Sequence, residues 1–142
     1  AEQFLVVASG RTEVEQIEDL VGEDVGAQIG TTGARVVNNA EGVGLRAYDD
    51  LGLAVEDLAQ GRLGGIVADA AIVEYFVLAN ERYGDLLRVA GSAYTVEQYA
   101  FAIAIDAPDL HDRVDRGLAD VRRDGTLRRL REFWFPGLTA GN

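Results

Sequence analysis

The stretch Asp24-Val25-Gly26-Ala27-Gln28-Ile29-Gly30-Thr31-Thr32-Gly33 decides the fold, because a short apolar strand in it runs into a Gly-Thr-Thr-Gly turn that opens a helix. The predicted strand covers residues 25–29, and the predicted helix continues to about Ala40. Unpaired backbone N–H groups and the positive end of the helix dipole converge on such a turn. The stretch therefore predicts either a place for an anion, a carboxylate or a phosphate, or a plain N-cap formed by Thr31 or Thr32.

Strands and helices alternate along the rest of the chain. Strands are predicted at residues 4–8, 45–48, 65–68, 86–90 and 99–105, and helices at residues 51–60, 70–83, 108–123 and 126–133, with a further short helix that ends near Leu20. This alternation is typical of an α/β fold with a largely parallel sheet. We therefore expect a three-layer domain in which helices flank that sheet.

A second strand-to-helix turn carries Asp69, directly after the buried strand at residues 65–68. Ligands of open α/β sheets bind beyond the carboxyl ends of the strands, where such turns converge. The turn at 30–33 offers donors for an anion, while Asp69 offers an acceptor for a cation. An α-amino acid carries both charges close together and would satisfy both turns. The alternative for Asp69 is that it only caps the helix that follows it.

Composition excludes several classes of function. The chain has 24 acidic and 13 basic residues, a net charge of −11, and every basic residue is an arginine. A negative field of this size repels nucleic acid and anionic lipid, so no nucleic-acid partner is expected. The acidic, lysine-free surface favours either adaptation to high salt or a codon bias toward arginine.

Metal and cofactor chemistry is not expected either. The chain has no cysteine and a single histidine, and its carboxylates are dispersed rather than spaced as in a calcium loop. No run of about 18 apolar residues occurs, which is the length that a membrane-spanning helix requires.

Four groups of residues follow one another in a definite order. They are Ile17-Glu18-Asp19-Leu20-Val21-Gly22 with the stretch at 25–33, Gly61-Arg62-Leu63 with Ile66-Val67-Ala68-Asp69, Glu97-Gln98-Tyr99 with Ala102-Ile103-Ala104, and Asp124-Gly125-Thr126-Leu127 with Phe133-Trp134-Phe135. In this order they resemble the second lobe and C-terminal segment of the solute-binding proteins of polar-amino-acid ABC transporters. The chain departs from the family's pattern at Gly64 and Ala100, where an aspartate and a glycine are usual.

The resemblance implies a lobe of the type II periplasmic-binding-protein fold, located outside the cytoplasm. Carried over residue by residue, it implies that Gly30, Thr31, Thr32 and Gly33 lie around the α-carboxylate of an amino acid. Asp69 would then pair with the α-ammonium, and Gln28 would lie near the ligand's side chain. The implied partners are an amino-acid ligand and the transporter's membrane permease.

The resemblance also divides the chain. Residues 1–105 would form the ligand-binding lobe with its hinge strands, and residues 106–142 would form helices that pack on the other lobe in the family. Most of that other lobe precedes Phe4 in the family. The apolar stripe of the helix at 108–123 would then lack its usual cover, so we expect it to fold back or to form a homodimer contact.

Two other functions share this fold. One is the ligand-sensing domain of a receptor or sensor kinase, and the other is a dehydratase of aromatic-acid biosynthesis, in which Glu74 or His111 could serve as an acid or base. We expect Glu74 to be a charge on a helix surface. His111 is expected to be an ordinary surface histidine flanked by Asp109 and Asp112.

Overall fold

A computed structural model of the chain describes residues 2–95 and 97–136. The chain divides into two compact units between Glu97 and Gln98. The first unit contains a five-stranded sheet with its helices, and the second contains two helices. The expected division after residue 105 into a ligand-binding lobe and C-terminal helices stays a prediction.

The first unit follows the predicted alternation closely. Its elements are β1 (Gln3–Ala8), a 3-10 helix (Ile17–Leu20), β2 (Asp24–Gln28), α1 (Thr32–Asn39), β3 (Gly44–Tyr48), α2 (Leu51–Ala59), β4 (Gly65–Asp69), α3 (Ala70–Val73) with a π-helical continuation (Glu74–Leu78), and β5 (Leu87–Ala90). The second unit consists of α4 (Pro108–Arg123) and α5 (Thr126–Trp134). The helix after Asp69 ends at Leu78, whereas the sequence predicted a continuation toward Gly84.

The sheet has the strand order β3-β2-β4-β1-β5. Strand β2 runs parallel to both β3 and β4, while β1 is antiparallel to both β4 and β5. Four of the five strands therefore share one direction, and β1 alone is reversed between two of them. This confirms an α/β fold with a largely parallel sheet.

Successive side chains of each strand point to opposite faces of the sheet, so each face carries apolar side chains against which a helix packs. On one face, Leu5 and Val7 of β1 join a buried cluster with Ala34 and Val37 of α1. The side chain of Val6 points to the other face and is also fully buried. Helix α2 packs on β2 and β4 with a buried apolar stripe that is separate from the α1 cluster; its members are Leu51, Ala54, Val55 and Leu58.

The strand predicted at residues 99–105 is absent, so this prediction was wrong. These residues adopt no regular secondary structure, and Tyr99, Phe101 and Ile105 are exposed. A strand is stable only when a neighbouring strand pairs with its backbone N–H and C=O groups. In the described part of the chain, none of the five strands pairs with this segment. The apolar run predicts a strand, but it does not specify which strand would pair with it.

Helices α4 and α5 contact each other, and neither contains a buried residue. The stripe on α4 formed by Leu110, Val114, Leu118 and Val121 is half-buried or exposed. The expected association through this stripe stays a prediction. None of the described helices combines the length and the hydropathy that crossing a bilayer requires.

The position of β1 inside the sheet predicts the cost of a cavity there. Leu5 is 0% exposed and pairs with both Val67 and Ala90, so Leu5→Ala should lower the free energy of unfolding by about 2–5 kcal/mol. The matched control is Leu53→Ala on α2, where the side chain is 59% exposed and the change should stay within about 0.5 kcal/mol. Urea unfolding measures both, and equal losses would contradict the assigned core.

Candidate ligand-binding site

Three segments meet at one edge of the sheet. Strands β2 and β4 are parallel neighbours in the register Val25↔Gly65 and Ala27↔Val67, so their carboxyl ends lie side by side. Strand β1 is reversed, and its amino end therefore reaches the same edge, where Gln3 pairs with Asp69. The edge thus brings together the turn before α1, the carboxylate at the end of β4 and the first residues of β1.

The turn before α1 is built as predicted. Gly30 has a φ of +75°, a left-handed conformation that glycine adopts without steric cost, and it turns the chain out of β2. The Thr31 hydroxyl is the N-cap of α1, because it accepts a hydrogen bond from the Ala34 N–H at 3.2 Å and donates to the Gln28 carbonyl at 2.6 Å. Thr31 therefore fulfils the capping role that the sequence left open.

The next two residues leave their backbone donors available. Among the hydrogen bonds of the described residues, none uses the N–H of Thr32 or of Gly33. The Thr32 hydroxyl accepts a hydrogen bond from the Arg35 guanidinium at 2.9 Å. The start of α1 thus presents two free N–H groups and the positive end of the helix dipole, which together suit an anion.

Asp69 also combines a capping role with a free group. Its Oδ1 accepts a hydrogen bond from the Ile72 N–H at 3.2 Å, as an N-cap of α3 does. No partner for Oδ2 is found within residues 2–95 and 97–136. The side chain is half-buried. Asp69 therefore caps a helix with one oxygen and leaves the other for a donor at the sheet edge.

Gln28 lies apart from these groups. Its Nε2 donates to the Asp49 carbonyl at 3.0 Å. Because Ala27 belongs to the cluster under α1, the side chain of Gln28 points to the opposite face of β2. The structure therefore brings Thr31, Thr32 and Asp69 together but not the Gln28 side chain, whose predicted role stays a prediction.

Gln3 also lies at this edge, and the sequence analysis did not single it out. Its side chain is 5% exposed, and its Oε1 lies 2.9 Å from the position that a Cβ on Gly33 would occupy. In the described part of the chain its carboxamide makes no hydrogen bond. The signal was present in the sequence, since positions 3, 5 and 7 share one face of β1 and only position 3 is polar.

The two candidate acid–base residues differ in exposure. Glu74 is 5% exposed on a buried helix face with Val73 and Val77, so the expectation of a surface charge was wrong. His111 lies on the surface of α4, where its Nδ1 is 3.7 Å from Asp112 and 3.6 Å from Asp115. No cluster of three metal-binding side chains occurs among the described residues.

Comparisons with known proteins show the family to which this chain belongs. No protein-family model matches the sequence. The L-cystine-binding protein TcyJ of Escherichia coli K12 is 31% identical over 134 residues, which are 94% of this chain and 49% of that protein. ABC transporter arginine-binding protein 1 of the same organism is 28% identical over 141 residues, 95% of this chain and 56% of that protein. The homologues of this chain are amino-acid solute-binding proteins of ABC transporters.

Solved structures give the same fold. The crystal structure of an ancestral amino acid-binding protein, a precursor of cyclohexadienyl dehydratase, superposes with a TM-score of 0.77 at 26% identity and covers 94% of this chain and 57% of its own. The structural neighbours are amino-acid binding proteins of the type II periplasmic fold. The chain spans about half the length of the curated solute-binding proteins it matches.

The tight contact at Gly33 generates a stability prediction. A Cβ at this position would lie 2.9 Å from both Gln3 Oε1 and the Val67 carbonyl oxygen, so Gly33→Ala should destabilise the fold by about 1–3 kcal/mol. Gly117→Ala in α4 is the matched control, because its Cβ meets no atom within 4 Å and alanine favours a helix interior. Thermal unfolding should show opposite signs for the two variants, and a stabilising Gly33→Ala would contradict the close approach.

Proposed function

We propose that the chain is the ligand-binding lobe of an extracytoplasmic solute-binding protein that delivers an amino acid to an ABC transporter permease. The observation that carries this proposal is the adjacency, at one sheet edge, of two free N–H groups at the start of α1 and the free oxygen of Asp69. Hydrogen-bond donors next to a carboxylate oxygen suit the carboxylate and the ammonium of one zwitterion.

Each end of the ligand then has a stated partner. The α-carboxylate accepts hydrogen bonds from the N–H groups of Thr32 and Gly33, next to the Gly30 turn and the Thr31 cap. The α-ammonium donates to Asp69 Oδ2. Hydrogen bonds to charged groups contribute about 1.5–3 kcal/mol each. A ligand without the amine would leave Asp69 unpaired in a half-buried position, which gives the site selectivity for amino acids.

Binding without turnover is the leading function. An enzyme is the second candidate, because one solved neighbour is described as a precursor of cyclohexadienyl dehydratase. The relatives that match this chain carry the names of binding proteins, and this favours binding over acid–base chemistry. A receptor or sensor domain of the same fold would use the same two turns for its ligand.

Several parts of the proposal concern the whole protein. The permease partner and the location outside the cytoplasm follow the homologues. The lobe boundary after residue 105 is proposed from the resemblance in the sequence. Gln28 would border the ligand at the rim of the site. Self-association through the apolar stripe of α4 is a separate proposal, based on the exposure of that helix.

A thermal-shift screen of the full-length protein with the twenty standard L-amino acids and L-cystine tests this proposal. A ligand at 100 times its Kd stabilises the folded state by about 2.7 kcal/mol, so one ligand class should raise the melting temperature. Asp69→Asn keeps a good N-cap but removes the negative charge, and it should abolish the rise.

Asp50→Asn is the matched control. Asp50 caps α2 through a 2.6 Å hydrogen bond from the Gly52 N–H, so this variant loses a charge of the same kind at another cap. It should keep the full ligand-induced rise. The proposal fails if no amino acid stabilises the wild type, or if Asp69→Asn responds like the wild type.

A further inference from the structure

We infer that the Gln3 carboxamide is a third ligand-binding group of this site and donates a hydrogen bond to the carboxylate of the bound amino acid. This inference rests on the proposed function and adds to it a residue from β1. It is carried by the position of one side chain, by its low exposure and by a carboxamide that makes no hydrogen bond within the described residues.

The register of the sheet positions Gln3. Residues directly opposite each other in an antiparallel pair project their side chains to the same face, and Gln3 is directly opposite Asp69. Leu5 and Val7 follow on that face and lie in the cluster under α1. The Gln3 side chain therefore points to the α1 side of the sheet at the edge where the free N–H groups lie.

The backbone of Gln3 makes hydrogen bonds, whereas its carboxamide makes none within the described residues. The Gln3 N–H donates to Thr95 Oγ1 at 3.3 Å, and the Gln3 carbonyl accepts from the Tyr94 N–H at 2.8 Å. The side chain, at 5% exposure, fills the space left by the missing side chain of Gly33. A carboxamide fixed in this way is already positioned for a ligand at the start of α1.

Neither carboxamide atom of Gln3 is among the fully buried side-chain atoms without a partner in the described residues, so the carboxamide still reaches solvent at the sheet edge, where a ligand can contact it. A partner that arrives with the ligand would satisfy the group. With Oε1 packed against Gly33, the Nε2 amino group is the free end of the carboxamide. Two donors on Nε2, together with the N–H groups of Thr32 and Gly33, would converge on one carboxylate.

Isothermal titration of the full-length protein, with the amino acid that gives the largest shift among the twenty standard L-amino acids and L-cystine, tests the inference. Gln3→Met has a similar shape but no donor, and its affinity should fall roughly tenfold, while its melting temperature without ligand stays equal or rises. Gln3→Glu places an anion next to the bound carboxylate and should bind more weakly still. Gln60→Met, at the exposed C-cap of α2, is the control and should bind like the wild type.

A second ligand tests whether Gln3 contacts the carboxylate of the bound amino acid. The same amino acid with its carboxyl group converted to an amide should bind the wild type weakly. Gln3→Met should not reduce the affinity for this amide any further. An equal additional loss with both ligands would overturn the assignment to the carboxylate.

The remaining outcomes separate this inference from the proposed function. If the wild type binds, Asp69→Asn does not, and both Gln3 variants bind like the wild type, the inference fails and the proposed function stands. If Gln3→Met melts at a lower temperature without ligand, Gln3 is a structural residue and the inference fails. If the wild type binds no amino acid, both fail together.

Discussion

The antiparallel pairing of β1 with β4 is the constraint on which the rest of the structure depends. Strands β2 and β4 bring their carboxyl ends to one edge, as parallel neighbours do, but this pairing alone supplies only two turns. The reversed β1 brings its amino end to that edge and sets Gln3 opposite Asp69. The same strand carries Leu5 and Val7 into the core under α1, so the core and the candidate site share one element.

Each of the two turns at this edge combines a helix cap with a hydrogen-bonding group that has no partner in the described residues. Thr31 uses its hydroxyl to cap α1, and the helix it caps then presents the free N–H groups of Thr32 and Gly33. Asp69 uses one oxygen to cap α3 and leaves the other available. The choice between an N-cap and a ligand-binding group, which the sequence left open, is therefore not exclusive, because a cap that orders a helix start also orients its donors.

Local signals in the sequence predicted most of the fold. The glycine turn at 30–33, the cap at Asp69 and the apolar periodicity of α2 depend on neighbouring residues, so they were predictable. The direction of β1 and the missing strand at 99–105 depend on which strand provides the pairing partner, which no local pattern specifies. The alternation in β1 marks Gln3 as the polar residue on an apolar face, but its position opposite Asp69 depends on the pairing of β1 with β4, which no local pattern specifies.

The central claim is that one zwitterion bridges the start of α1 and Asp69. The most direct test is to titrate the wild type and Asp69→Asn with the bound amino acid and with its analogue that lacks the α-amino group. If Asp69 holds the ammonium, the wild type should prefer the amino acid by tenfold or more, and Asp69→Asn should lose that preference. An unchanged preference in Asp69→Asn would show that the ammonium lies elsewhere and would contradict the account.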